Sequence, residues 1–312
     1  MVPRWFIGEL FGTFLLVFFG CGSVCAAVLT GAQVGVFQVA IVWGLGIATA
    51  IYLTGALSGA HLNPAVTLST AVWSDFPKKR VLPYVAAQFC GAFFGALVLH
   101  FIFAGSLRTF EQAQGIVRGL PGSEASAMVF GEYFPNPGGH PLTPDVRLRM
   151  SHGAAFGAEV IGTAVLLLVI FCTTDERNKA RPQLLSALSI GLTVTLLISL
   201  LGPLTMACFN PARDFAPRLY SSLAGWGAVP FRANGIGWLT VYVIAPLLGG
   251  LVGGATYRLF FKPGYRAFSG PESDVPLKPP ISGPPGDTCP VESTAAEPPK
   301  RRSPSQLVAR IQ

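Results

Sequence analysis

Asparagine, proline and alanine occur in that order twice, at Asn63-Pro64-Ala65 and Asn210-Pro211-Ala212, 147 positions apart. Proline suits the first position of a helix, where its missing N–H is no loss, and asparagine is a good cap just before it. Each triplet therefore predicts a helix start. Each asparagine would also present a side-chain amide that donates hydrogen bonds to a passing oxygen. The stretches leading in, Gly59, Ala60, His61 and Leu62, then Met206, Ala207, Cys208 and Phe209, are expected to be non-helical and to expose backbone carbonyls as acceptors. Arg213 follows the second triplet directly and brings a fixed charge with forked donors. Such an arginine in an apolar context is costly unless it faces a polar cavity or is paired. The chemistry on offer is hydrogen bonding, not bond making. No nucleophile–base pair, metal-ligand set or phosphate loop occurs in a plausible context, so no catalytic residue, metal or cofactor is expected.

These residues have to be held by something, and the composition says what. The 312 residues are 51% hydrophobic and only 12% charged, where about a quarter is usual for a soluble domain. The pattern predicts an all-α membrane protein with six transmembrane helices at about residues 5–30, 34–54, 81–104, 152–173, 182–201 and 236–261. Two shorter segments, about Pro64–Trp73 and Pro211–Leu223, are re-entrant half-helices of roughly 15–20 Å, half the hydrocarbon thickness. Entering from opposite sides, they would meet tip to tip near the midplane. Each helix N-terminus carries roughly half a positive charge, so the pair would oppose cations, including protons.

The two halves echo one another. Glu9-Leu10-Phe11-Gly12-Thr13 matches Glu159-Val160-Ile161-Gly162-Thr163, and three spans separate the equivalents, so the repeats, about 4–104 and 152–262, are inverted in the membrane. Glu9 and Glu159 are expected to accept hydrogen bonds from the irregular backbone of the re-entrant loops, with a proton relay as the other reading. The net charge of +7 does not imply nucleic acid, because the basic residues sit beside span ends. Arg4, Lys78-Lys79-Arg80, Arg177, Lys179, Arg181, Arg258 and Lys262 all fall on one side, which places both termini in the cytoplasm. The connection 105–151 is then extracytoplasmic and partly ordered over the mouth, with Asn136-Pro137-Gly138 a turn. Residues 263–312 hold eleven prolines and read as a disordered tail. The cysteines show no disulfide or metal spacing, and four lie inside apolar runs.

Over about residues 4–262 the sequence resembles the aquaporin, or major intrinsic protein, family, and within it the glycerol-facilitator branch. Trp43-Gly44-Leu45-Gly46, Ser58 through Thr67, Gly202-Pro203-Leu204-Thr205 and Asn210-Pro211-Ala212-Arg213-Asp214 carry the likeness. Asp214 is the branch marker, and Pro246-Leu247 and basic Arg218 fit the same branch. The resemblance implies a passive channel in the plasma (inner) membrane for glycerol and similar small uncharged solutes and water, excluding ions, assembled as a homotetramer. It implies a constriction just outside the paired motifs, made by Trp43, Ile198, Ala207 and Arg213. Without the resemblance, Trp43 would be read as an interfacial or packing residue. Glycerol channels usually have glycine and phenylalanine where Ile198 and Ala207 stand. The set here is similar to plant nodulin-type filters, which brings urea, ammonia, undissociated lactic acid and metalloid acids into view beside glycerol. Two other classes remain: a structural membrane protein with a vestigial pore, and an ion-coupled transporter, which would need more ionisable residues at the midplane.

Overall fold

The computed structural model describes residues 2–32 and 35–268. Eight helices carry the architecture: α1 (Arg4–Thr30), α2 (Val36–Ser58), α3 (Pro64–Trp73), α4 (Val81–Ala113), α5 (His152–Thr174), α6 (Ser186–Thr205), α7 (Pro211–Ser221) and α8, which runs in consecutive segments from Gly237–Leu239 to Lys262–Phe268. Single helical turns interrupt the connections between α4 and α5 and between α7 and α8. The described residues contain no strand. All but α3 and α7 are long and apolar enough to cross a bilayer.

Helices in lipid gain little from apolar surface alone, because the tails are as apolar as leucine; small residues that let backbones approach decide which helices pair. The chain shows this at three crossings. A Cβ on Gly91 of α4 would overlap the Leu10 carbonyl of α1, and one on Gly249 of α8 would overlap the Val160 carbonyl of α5. Leu10 and Val160 are the residues beside Glu9 and Glu159, so the same contact occurs once in each half. At the centre, Gly44 of α2 and Gly191 of α6 face each other, and a Cβ on either would overlap the carbonyl of the other. Those two glycines are also 147 positions apart. The repeat is thus visible in packing as well as in motif.

Three boundaries differ from the sequence-based expectation. The third span does not end at 104: α4 continues to Ala113, because Leu107 and Glu111, one turn apart, bury against the following loop, where Glu111 accepts hydrogen bonds from Arg118 and Ser126, both at 2.9 Å. The connecting segment therefore begins at 114 rather than 105. The fifth span runs past Pro203 to Thr205; a proline one turn from a helix end leaves few ladder bonds unmade, and membrane helices tolerate it. The last helix continues through Lys262–Phe268, into the stretch expected to be tail; residues 269–312 lie outside the described residues.

Residues 123–135, in the connection between α4 and α5, are all buried. Glu124 accepts the N–H groups of Gly122 and Leu142, both at 2.9 Å, and closes the segment into a compact unit. Trp226, beyond α7, is fully buried and donates its indole N–H to Ser126 at 2.9 Å. Asn136 and Pro137 form the expected turn, with Gly138 N–H on the Asn136 side chain at 2.9 Å and His140 N–H on the Pro137 carbonyl at 3.1 Å. The Asn136 amide also reaches the Gly202 carbonyl at 2.9 Å, which ties the loop to α6.

Candidate functional site

The two half-helices begin as their sequences dictate. The Asn63 side chain accepts the N–H of Ala65 at 2.8 Å, and that of Asn210 accepts those of Ala212 and Arg213 at 3.1 and 3.3 Å, with proline at the first helical position in both. With the oxygen so occupied, each amide nitrogen points to the other half. Asn63 donates to the Phe209 carbonyl at 2.8 Å and Asn210 to the Leu62 carbonyl at 2.9 Å. The tips of α3 and α7 are therefore bridged reciprocally. An amide has two N–H donors, so one on each asparagine remains beyond this tie. Two carbonyls expected to serve only a passing solute, those of Leu62 and Phe209, each give one lone pair to the bridge.

The approaches are extended by an unusual backbone. Ala60, Leu62, Met206, Ala207 and Phe209 have φ of 48°, 52°, 63°, 60° and 53°, a left-handed conformation that costs about 1 kcal/mol or more for a residue with a side chain. What holds it is two carboxylates. Glu9 accepts the N–H groups of His61 and Leu62 at 2.9 and 2.8 Å, and its second oxygen also takes Gln88 at 2.7 Å. Glu159 does the same for Cys208 and Phe209 at 3.0 and 2.8 Å, with the Thr205 hydroxyl at 2.6 Å. Both carboxylates are fully buried. His61 is held by its ring on the Thr67 hydroxyl at 3.2 Å and against Phe76 and Tyr84. The Cys208 thiol donates to the Asn210 carbonyl at 3.3 Å.

Two cavities flank the bridged tips. One encloses about 320 Å³ and runs from Ser74, Thr174 and Ser186 past Asn63 and Asn210; Gly59, Ala60, His61, Leu62, Ala207, Cys208 and Phe209 all line it, opposite aliphatic side chains such as Ile51, Val194 and Ile170. The other, about 400 Å³, opens toward the 114–151 loop and is lined by Met206, Asn136, His140 and Glu132. Three residues line both: Trp43, Ile198 and Arg213. They form the wall that the two cavities share. Ala207 borders the first cavity only. The Trp43 ring is seated on Gly20, where any Cβ would overlap it, and the Arg213 guanidinium lies 4.4 Å over that ring.

A sequence model described as major intrinsic protein matches residues 2–257. The chain belongs to the major intrinsic protein family. It is an integral membrane protein. The glycerol uptake facilitator protein of Pseudomonas aeruginosa is 39% identical over 87% of this chain and 94% of that protein. The propanediol uptake facilitator PduF of Salmonella typhimurium is 40% identical over 81% of this chain and 91% of its own length. An X-ray structure of the aquaglyceroporin from Plasmodium falciparum superposes with a TM-score of 0.72 at 27% identity, covering 85% of this chain and 98% of that one.

Sequence reasoning missed the partners of Arg213. This family member places the Phe130 carbonyl 3.2 Å from its Nη1 and the Glu132 carboxylate in direct contact with its Nη2. Both come from the buried loop. Asp214, expected only as a marker of the branch, accepts the Glu132 backbone N–H at 2.7 Å and forms a buried ion pair with Arg218, also at 2.7 Å. Arg218 in turn donates to the backbone carbonyls of Glu132 and Pro230. The one available signal was Glu132 itself, a lone acid among Met128-Val129-Phe130-Gly131 and Tyr133-Phe134. An isolated charge in an apolar run asks for a partner. Among the described residues no His, Cys, Asp and Glu cluster is arranged to hold a metal.

Proposed function

We propose that the chain forms a passive channel for glycerol and similar small uncharged solutes, and for water, with Trp43, Ile198, Ala207 and Arg213 as its filter. One observation carries the reading: two cavities meet at Trp43, Ile198 and Arg213, directly beside half-helix tips cross-linked by Asn63 and Asn210. A solute in that passage meets amide and guanidinium donors, carbonyl acceptors and an aliphatic wall, the chemistry of a polyol with its hydroxyls on one side and its carbons on the other. Ions find two positive helix ends and no replacement for their hydration shell. No bond is made or broken and no coupling ion enters, so flux follows the solute gradient alone. The names of the relatives, glycerol and propanediol facilitators, agree with this class.

The basic residues beside the helix ends, from Arg4 to Lys262, support a plasma-membrane channel with both termini on the cytoplasmic side and the 114–151 loop outside. The assembly is a homotetramer with one pore per subunit, in keeping with the family.

Ile198 favours a second solute choice within the same class. A branched aliphatic beside Trp43 and Arg213 suits a diol with a methyl group, or undissociated lactic acid, better than it suits a triol, while urea, ammonia and metalloid acids stay in view through the likeness to nodulin-type filters. Stopped-flow light scattering on proteoliposomes separates these, with water, glycerol, propanediol, urea and lactic acid in turn. Glycerol flux above that of empty liposomes, linear in the gradient and indifferent to ion gradients, is expected; flux that tracks an imposed ion gradient overturns the reading. Ile198→Gly should raise glycerol permeability several-fold, since a constriction gains about one side chain of width, and an unchanged rate removes Ile198 from the filter.

A further inference from the structure

The side chain of Glu132 is fully buried, yet apart from its contact with Arg213 neither carboxylate oxygen accepts a hydrogen bond from any described protein group. A buried carboxylate ordinarily collects several donors, as Glu9 and Glu159 do here. Its backbone is fixed on both sides, the N–H on Asp214 and the carbonyl under Arg218, so the side chain is held where it is and not by default. That position is on the wall of the 400 Å³ cavity, beside Arg213 and Asn136.

We propose that Glu132 is a solute-binding residue of the constriction: its unpartnered carboxylate oxygen accepts hydrogen bonds from hydroxyl or amide N–H groups of a neutral solute entering from the loop-side cavity. This rests on the channel reading above and deepens it, because it names what the entrance selects. Arg213 and the two asparagines only donate, so a filter made of them alone favours solutes rich in acceptors. Glu132 supplies an acceptor beside the guanidinium, in addition to the backbone carbonyls of the neighbouring cavity. A solute that both donates and accepts, such as a polyol or urea, can then bridge carboxylate and guanidinium, while a solute that only accepts cannot. Glu132 also changes the charge of the entrance. Where Glu132 is ionised, the four groups Glu132, Arg213, Asp214 and Arg218 sum to zero, so cation exclusion then falls to the half-helix ends rather than to a net charge on Arg213.

Glu132→Gln tests this. Glutamine keeps the size and can still offer an oxygen to Arg213, but it replaces the open acceptor with an NH2 donor. In proteoliposomes at about pH 9, where the carboxyl is ionised, the ratio of glycerol to water permeability should fall at least about tenfold, in line with the loss of one hydrogen bond to a charged group. If Glu132 serves only to hold Arg213, the ratio stays within about twofold of wild type, and the proposal is overturned. Wild-type glycerol flux is measured in the same preparation: its absence would defeat the channel reading itself, a result distinct from an unchanged ratio.

Should the variant fail to insert, the pH dependence of a pore with Glu132 intact gives a second measurement. Burial pushes the Glu132 carboxyl above the usual range, against the pull of Arg213. The other groups facing it are Asp214 and Arg218 on α7, Glu159 on α5, the thiols of Cys21 and Cys208, and the phenols of Tyr133 and Tyr242. His140 lines the same cavity, and histidines titrate in the window used, so the measurement is made on His140→Gln. Protonation turns the open oxygen from an acceptor into an O–H donor, so the glycerol-to-water ratio should fall as pH is lowered from about 9 to about 6. A flat ratio overturns the proposal.

Discussion

Arg213 is 4% exposed, and every group around it answers a different part of the guanidinium: an aromatic face, a carbonyl and a carboxylate. Taking one partner from a buried ion pair leaves the other uncompensated, which is costlier than losing both. Arg213→Ala therefore does more than widen the constriction. It removes the fixed positive charge between the two cavities, so solutes larger than glycerol and small cations should both pass. The expected change in glycerol-to-cation selectivity is at least about tenfold, corresponding to about 1.4 kcal/mol. Proteoliposome light scattering with a parallel cation-leak measurement reads it, and unchanged selectivity would remove Arg213 from the filter. Arg213 itself was legible in the sequence because an arginine directly after Asn-Pro-Ala is both costly and distinctive. Phe130 and Glu132 were not, since nothing local marks a residue in a long connection as the neighbour of one 83 or 81 positions away.

Among the elements, α3 and α7 exist because their first residues cap them, and that much is local chemistry. Where they point is not. Their orientation comes from the left-handed approaches held by Glu9 and Glu159, and from α2 and α6, which cross at Gly44 and Gly191. Gly44→Val should wedge that crossing apart, because the added side chain meets the Gly191 carbonyl and the Thr195 hydroxyl. Overpacking of this kind costs about 1–3 kcal/mol. Thermal unfolding in detergent should show a lowered midpoint, and glycerol flux should fall because Trp43 is the adjacent residue; a variant with wild-type midpoint and flux would mean that α2 and α6 do not touch there. The extension of α4 to Ala113 follows the same logic: its last turns are stabilised by a loop that folds back, not by anything in their own sequence.

For the whole molecule, the residues of the proposed filter, the bridge and the charge network all lie within residues 2–268. The family match ends at 257, and the first compact unit closes at Gly270. Removing residues 271–312 should leave water and glycerol permeability within about twofold of the full-length rate per folded channel, a difference of about 0.4 kcal/mol or less. A silent truncated channel in the stopped-flow assay would show that the tail completes the pore.

The sequence by itself determined the spans, the half-helices, their inverted repetition and the identity of the donors. Hydropathy over about 20 residues, a proline at a helix start and a repeated acid are each local or periodic, and such signals survive without coordinates. Only the tertiary structure decided that the asparagine amides are tied to each other's loops, that Asp214 serves to anchor a distant loop, and that Arg213 is paired with Glu132. Those are contacts between segments about 80 to 150 positions apart. They form because a buried polar group must find a partner wherever the fold brings one, and the chain between them carries no record of which partner that is.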